Sequence, residues 1–260
     1  MRRRAACLQL LALLLCCAAT AADVQPVLRL AANYWEPYTG AELPGNGLAA
    51  EIVATALQRA GYATAIDIMP WSRVLSNAYN GQSDGVVAIW PTAQRRARIL
   101  YSDSYLSNEL HLFFLRPELG DRSSMDALTG LRIGVMRGYD YSDNFLLHDN
   151  FQVLPVDRVV QNLLKLSVDR IDMLLEDKRI VAYNLRHRSD ELRGLPPLRH
   201  SATPLLTLPL HFGMSRRHPQ AEQVIAAFNA QLAHMRKDGT LAAILRRFDE
   251  AQPIKFTVGN

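Results

Sequence analysis

Past an apolar opening stretch, the chain alternates short apolar runs with amphipathic ones. Residues 27–31 read as a strand. Residues 48–60 place Leu48, Ile52, Val53, Ala56 and Leu57 on one helical stripe, and Gly61 stands where such a helix stops. Residues 64–69 alternate as a half-buried strand does. Pro70 then opens a second helix, at a position where its missing N–H costs nothing. Residues 85–89 form the short apolar run of a buried strand. Strand, helix, strand, helix, strand predicts a parallel sheet with helices on its faces.

The order then repeats. Strands are expected at 131–136, between Gly130 and Gly138, at 153–156 and at 171–175, with helices at 158–168 and 178–186. Residues 75–84 and 163–172 echo one another: a helix end, a polar turn, and an aspartate just before an apolar strand. The echo fits two similar lobes, or merely a common helix-to-strand turn. The last part reads as two helices. Residues 221–236 carry Val224, Ile225, Phe228, Leu232 and Met235 on one face. The break at Lys237-Asp238-Gly239-Thr240 precedes the second helix, 241–248. Segments 105–113 and 207–215 are apolar and extended, without a Ser/Gly-rich tether. They read as strand-like hinges, and two such crossings would limit motion to opening and closing.

The opening stretch changes the picture of where the chain works. Arg2, Arg3 and Arg4 precede apolar residues 8–17, and small residues lead to Ala21 and Ala22 before Asp23. That is the order of a secretory signal peptide over 1–22, removed on export to the periplasm. A membrane anchor would need an apolar core of roughly 20 residues. A lipid-modified Cys16 or Cys17 would want a small residue where Leu15 stands. Cys7, Cys16 and Cys17 all fall in the leader, so the mature chain is expected to fold on its core without disulfides.

Charge narrows the partners. The net charge of +4 falls to +1 once the three leader arginines go, leaving 26 basic against 25 acidic residues. No concentrated basic face suggests nucleic acid. No later apolar run is long enough to span a membrane, so a soluble mature protein is expected.

Four segments carry a resemblance. Leu28-Arg29-Leu30 is followed by Trp35-Glu36-Pro37-Tyr38 and Gly47-Leu48-Ala49-Ala50-Glu51-Ile52. Pro70-Trp71-Ser72-Arg73 opens the helix that runs to Gly81 and Asp84. Thr92-Ala93-Gln94-Arg95 leads to Tyr101-Ser102-Asp103-Ser104-Tyr105, and Ile171-Asp172 leads to Glu176-Asp177. In this order they resemble the periplasmic solute-binding proteins of the polar amino acid type, family 3, over essentially the whole mature chain. The resemblance implies an α/β, two-lobed periplasmic-binding-protein-like fold of type II. Each lobe would be a mostly parallel sheet flanked by helices, the two joined by two hinge crossings. The first lobe would hold 23–107 plus 214–260, and the second 108–213.

It also implies a site. Trp35 and Trp71 fall on cleft aromatics, whose faces can sandwich a ligand body; the plain alternative for each is core. Arg95 falls on the arginine that grips a ligand carboxylate, where a planar guanidinium can make two parallel hydrogen bonds. Arg96 and Arg98 read as a solvated basic face. Asp177 falls on the aspartate that meets the ligand's ammonium, while Asp172 reads as a turn residue. In Arg137-Gly138-Tyr139-Asp140-Tyr141, Gly138 keeps its place, but Tyr139 and Asp140 replace small hydroxyl residues. A carboxylate beside a ligand carboxylate would repel it, so Asp140 could instead hold a positive group. Ala88 and Trp90 likewise replace small polar residues. The candidate ligand-binding set is Trp35, Trp71, Trp90, Arg95, Gly138, Tyr139, Asp140 and Asp177, with no metal or cofactor.

The leading expectation is a non-catalytic, monomeric receptor that closes on an amino acid or related compound and delivers it to an inner-membrane ABC permease. An enzyme on the same fold is the alternative, of the kind that dehydrates small cyclic acids, with Glu176 as its acid. The seven histidines are scattered without triad or metal-ligand spacing. A ligand sensor docking on a membrane receptor is the third reading.

Overall fold

The computed structural model describes residues 26–120, 122, 124–251 and 256–258. The expected leader at 1–22, with its cleavage site and all three cysteines, lies outside the described residues. Strands and helices come in the anticipated order. β1 (Val27–Ala32), α1 (Leu48–Arg59), β2 (Ala63–Ile68), α2 (Trp71–Asn80) and β3 (Gly85–Ile89) lead through a short α3 (Ala93–Arg96) into β4 (Ile99–Phe114). Then follow β5 (Arg132–Met136), α4 (Asp143–Leu146), β6 (Gln152–Val156), α5 (Val159–Ser167), β7 (Met173–Asp177) and α6 (Lys178–His187). The chain returns through β8 (Arg199–His200) and β9 (Leu206–Ser215) to α7 (Ala221–Lys237), α8 (Thr240–Ala251) and β10 (Thr257–Val258).

The sheet runs β2-β1-β3-β9-β4-β7-β5-β6. Its two ends mirror each other: β1 lies parallel between β2 and β3, and β5 lies parallel between β6 and β7. Between them β4 and β9 form an antiparallel ribbon from Ile99 opposite Ser215 to Leu110 opposite Leu206. One end of the ribbon joins β3 through Met214, and the other joins β7 through Leu110. Both segments anticipated as hinges lie in this ribbon, whose register shifts between Tyr101 and Leu106.

The periodicities explain which faces are buried. All five residues of β3 are buried, as expected of a parallel strand covered on both sides. Val87 belongs to the core built with α1 and α7, whereas Val86 and Ile89 pack with Val74 and Ala78 of α2. The stripe Val224, Ile225, Phe228, Leu232, Met235 of α7 is buried throughout, and Phe228 stands 5.0 Å, centroid to centroid, from Phe212 of β9. At the other end Leu110, Leu112 and Phe114 pack with Ile133, Val135, Met173 and Leu175.

The echoed turns share one device. Asp84 accepts the Arg29 N–H at 2.7 Å and the Arg29 guanidinium at 3.2 Å. Asp172 accepts the Arg132 N–H at 2.8 Å and its guanidinium at 2.9 and 3.0 Å, and also pairs with Arg116. Each aspartate ties the start of its strand to the central strand of its half. This tie also corrects a boundary. The strand expected at 171–175 runs instead over Met173–Asp177, because these bonds hold Asp172 in the turn.

The Arg132 guanidinium, helped by its N–H and by Arg116, holds the Asp172 carboxyl below the ordinary aspartate value. A carboxyl harder to protonate when folded stabilises the fold fully above the unfolded value and loses that contribution as pH falls through the folded one. Urea midpoints of wild type and Asp172→Asn should therefore differ clearly at neutral pH. They should converge as the solution is acidified below the aspartate range.

Candidate ligand cleft

The cleft forms where the C-terminal ends of the parallel strands from both halves face each other, the edge at which open α/β sheets place ligands. After β1, a tight loop sets Trp35: its N–H donates to the Thr39 carbonyl at 2.8 Å, and its own carbonyl accepts from the Tyr38 N–H at 2.9 Å. Trp71 is the first residue of α2, and Trp90 follows β3 directly. Arg95 sits in α3, which is capped by the Thr92 hydroxyl accepting the Arg95 N–H at 3.2 Å. From the other half, the loop after β5 turns at Gly138 (φ 81°) and presents Tyr139 and Asp140.

These side chains meet. Arg95 is 7% exposed. Its guanidinium lies 5.1 Å from the Trp71 ring centroid and donates to the Trp90 carbonyl at 3.0 Å. The carboxylate of Asp140 pairs with it from the opposite half. Trp35 Nε1 donates to the Tyr139 hydroxyl, and the Tyr139 ring packs edge-on to Trp35 and Trp90 at 6.1 and 5.1 Å. Together they line a small cavity of about 100 Å³. Outside the Trp35–Tyr139 contact the cleft widens into a vestibule of about 480 Å³ bordered by Tyr34, Glu36, Asp157, Arg158 and Arg188.

Seven of the eight candidate residues therefore border one cavity: Trp35, Trp71, Trp90, Arg95, Gly138, Tyr139 and Asp140. Arg96 and Arg98 are exposed and lie over Tyr101 and Tyr79. Asp177 stands apart from the cavity. Only 2% exposed, it caps α6 by accepting the Arg179 N–H at 2.8 Å, and it accepts Asn108 Nδ2 at 3.2 Å. Burial raises its pKa, opposed by the nearby Tyr38 hydroxyl and by the Asn108 and Arg179 N–H donors. Glu176 is fully buried; one oxygen accepts the Asp177 N–H at 2.8 Å, and the other has no hydrogen-bond partner. Burial pushes its pKa well up, and it does not reach the cavity. No histidine borders the cavity or the vestibule, and among the described residues no cluster is placed to hold a metal ion.

Sequence reasoning missed Asn108. This fully buried amide accepts Trp90 Nε1 at 3.0 Å and donates to Asp177, bridging the two halves behind the cavity. A lone asparagine in the apolar stretch 105–113 was its only signal. Asn33, Ala88, Ile89, Arg137 and Leu210 complete the lining, and nothing in the sequence contexts of Asn33 and Leu210 marked them.

This geometry defines a two-part α/β binding protein whose cleft opens between sheet halves. Residues 31–250 match the bacterial extracellular solute-binding proteins, family 3, and the chain belongs to that family. Its members are extracellular or periplasmic binding proteins. Solved structures share the fold at low identity. The substrate-binding protein AbpA from Streptococcus pneumoniae, bound to L-arginine, is 16% identical with TM-score 0.67, over 88% of this chain and 97% of that one. A histidine kinase sensor domain similar to periplasmic binding proteins is 16% identical with TM-score 0.69, over 87% and 97%. The VFT2 domain of Bordetella pertussis BvgS is 18% identical with TM-score 0.67, over 89% and 99%. At these identities the likeness shows a type II periplasmic-binding-protein-like fold. No curated protein sequence matches the chain.

Because Asp177 is a helix cap and not part of the cavity wall, Asp177→Ala should lower stability by roughly 1–2 kcal/mol. Asp177→Asn, which keeps an acceptor, should cost less. Titration calorimetry with any bound solute should then give nearly the wild-type affinity for Asp177→Asn. A selective loss for ammonium-bearing solutes would instead put Asp177 in contact with the ligand.

Proposed function

We propose that the chain is a periplasmic receptor whose two lobes close on a small polar solute, an amino acid or a related compound, for delivery to an ABC importer in the inner membrane. One observation carries the reading: a buried arginine and three tryptophans from one half converge with a tyrosine and a carboxylate from the other around a single small cavity. Arg95 would take the solute's carboxylate in two parallel hydrogen bonds, and Trp35, Trp71 and Trp90 would enclose its body. The proposed lobes are 23–107 plus 214–260 and 108–213, with both crossings in the β4–β9 ribbon. The pairing of His211, Gly213 and Met214 with β3 favours a second crossing a few residues earlier, near 208–210. The signal-peptide pattern expected at 1–22 is consistent with export, and a receptor that closes around its ligand would work as a monomer.

The binding role is preferred to catalysis because Glu176, the acid an enzyme would use, is sealed away from the cavity. A sensor reading has a specific observation in its favour, since one of the similar folds is a histidine kinase sensor domain. In that role the closed form would dock on a membrane receptor in place of a permease.

A thermal-shift screen of amino acids, polyamines and small cyclic or aromatic acids tests the reading. A ligand at 100 times its Kd adds about 2.7 kcal/mol of stability. A hit recovered intact supports a receptor, whereas a hit recovered as a different compound makes the protein an enzyme. For a carboxylate-bearing hit, Arg95→Ala should weaken binding by about 100-fold, the loss of two charge-assisted hydrogen bonds, with circular dichroism unchanged. Equal affinity in the variant would remove the arginine grip.

A further inference from the structure

The cleft contains a carboxylate that belongs to the chain itself, in the place where a solute's carboxylate would be needed. We infer that Asp140 is a tethered stand-in for that group: it occupies Arg95, holds the cleft closed, and must be displaced for a carboxylate-bearing solute to bind. The inference rests on the reading of this cleft as the solute site.

The two partners are unequally held. The Arg95 side chain is 9% exposed, with Trp71 under its guanidinium and the Trp90 carbonyl taking one of its donors. An uncompensated charge in such a position is strongly unfavourable, so the guanidinium needs an anion. The Asp140 side chain is 37% exposed and stands on a loop that leaves β5 through the left-handed turn at Gly138. It is therefore the partner free to swing out toward the wider vestibule while Arg95 stays in place.

The partners also come from opposite halves of the sheet. Neutralising Arg95 with Asp140 thus requires the halves to approach. The Trp35–Tyr139 hydrogen bond and the edge-on packing of Tyr139 against Trp90 close the same seam one residue away. The nearest other charges do not offer Asp140 a better partner, because Arg137 is paired at 2.9 Å with Asp157. A solute carboxylate then competes with a group already present at high effective concentration. Its apparent affinity falls by the fraction of molecules in which Arg95 is already taken. The ligands that succeed would be those whose remaining contacts with the tryptophans outweigh that competition. Asp140 is in this sense a specificity-determining residue, acting against weak, unadorned carboxylates.

The test uses the purified protein, wild type and Asp140→Asn, each freed of bound solute by unfolding and refolding. All three tryptophans of the chain border the cavity, so acrylamide quenching of tryptophan fluorescence reads cleft opening directly. Small-angle scattering reads the separation of the halves. Wild type should be compact and weakly quenched; Asp140→Asn should be more extended and more strongly quenched, with an unchanged urea midpoint for the core. Arg95→Ala should open the cleft to the same degree, and the double variant should add nothing, as expected of one shared contact. L-Glutamate and L-arginine serve as carboxylate probes. If Asp140 occupies Arg95 in about nine molecules of ten, its removal should tighten a probe that binds by about tenfold. Equal quenching and equal dimensions in wild type and Asp140→Asn would overturn the inference. So would weaker probe binding in Asp140→Asn, which would make Asp140 a partner for the solute's ammonium. Opening in Asp140→Asn with no solute bound by any variant would instead leave the latch standing and remove the amino-acid reading of the cleft.

Discussion

The β4–β9 ribbon is the constraint on which the rest of this structure depends. Two strands of 16 and 10 residues run through both halves of one sheet, and every other element is hung on one end or the other. Antiparallel pairing along the ribbon fixes how the halves face each other. Their parallel strands must then direct their C-terminal ends toward a common gap. At the register shifts near Tyr101–Leu106 the ladder is interrupted, and side chains take over its backbone groups: the Phe212 N–H donates to Ser102 Oγ at 3.1 Å and the Asp103 N–H to Asn229 Oδ1 at 2.8 Å. A cleft in this fold is thus a consequence of strand direction, and the side chains that fill it are a separate matter.

Much of the fold was legible because its signals are local. Stripes such as Leu48, Ile52, Val53, Ala56, Leu57 and the apolar run at 85–89 need only a helical or buried-strand environment to be correct. The echo between 75–84 and 163–172 was weak as a sequence pattern. It turns out to encode the same contact twice, an aspartate gripping the arginine of the central strand beside it. The misplaced strand boundary at 171–175 comes from the same contact. An apolar run shows where a strand could be, but a charged residue bonded across to Arg132 decides where it starts.

The cleft was legible in its parts and not in its wiring. Tryptophans at 35, 71 and 90 and the arginine at 95 stand out at strand and helix ends, so their convergence follows from the topology. What sequence could not reveal is which carboxylate reaches the arginine. Asp140 and Asp177 lie 45 and 82 positions after Arg95, and chain distance gives no preference between them. The choice is made by Asn108 and Arg179, which draw Asp177 into a cap behind the cavity, and by the turn at Gly138, which carries Asp140 forward.

Electrostatics gives that choice a reason. Glu176 and Asp177 are adjacent carboxyls, both shut from water, and burial makes each harder to ionise than an ordinary side chain. Neighbouring donors offset this for Asp177, yet all of them point at it from within the protein. Neither group can present an unshielded charge to the cleft. Asp140 keeps contact with solvent, which suits it to meet a buried guanidinium and to leave it again. A binding protein that closes on its ligand needs the ligand to supply free energy for closure. Where the chain supplies part of that free energy itself, affinity falls but the closed form becomes accessible before binding. The same arrangement that weakens a receptor for import would serve a sensor, in which the resting state is closed and the ligand changes it.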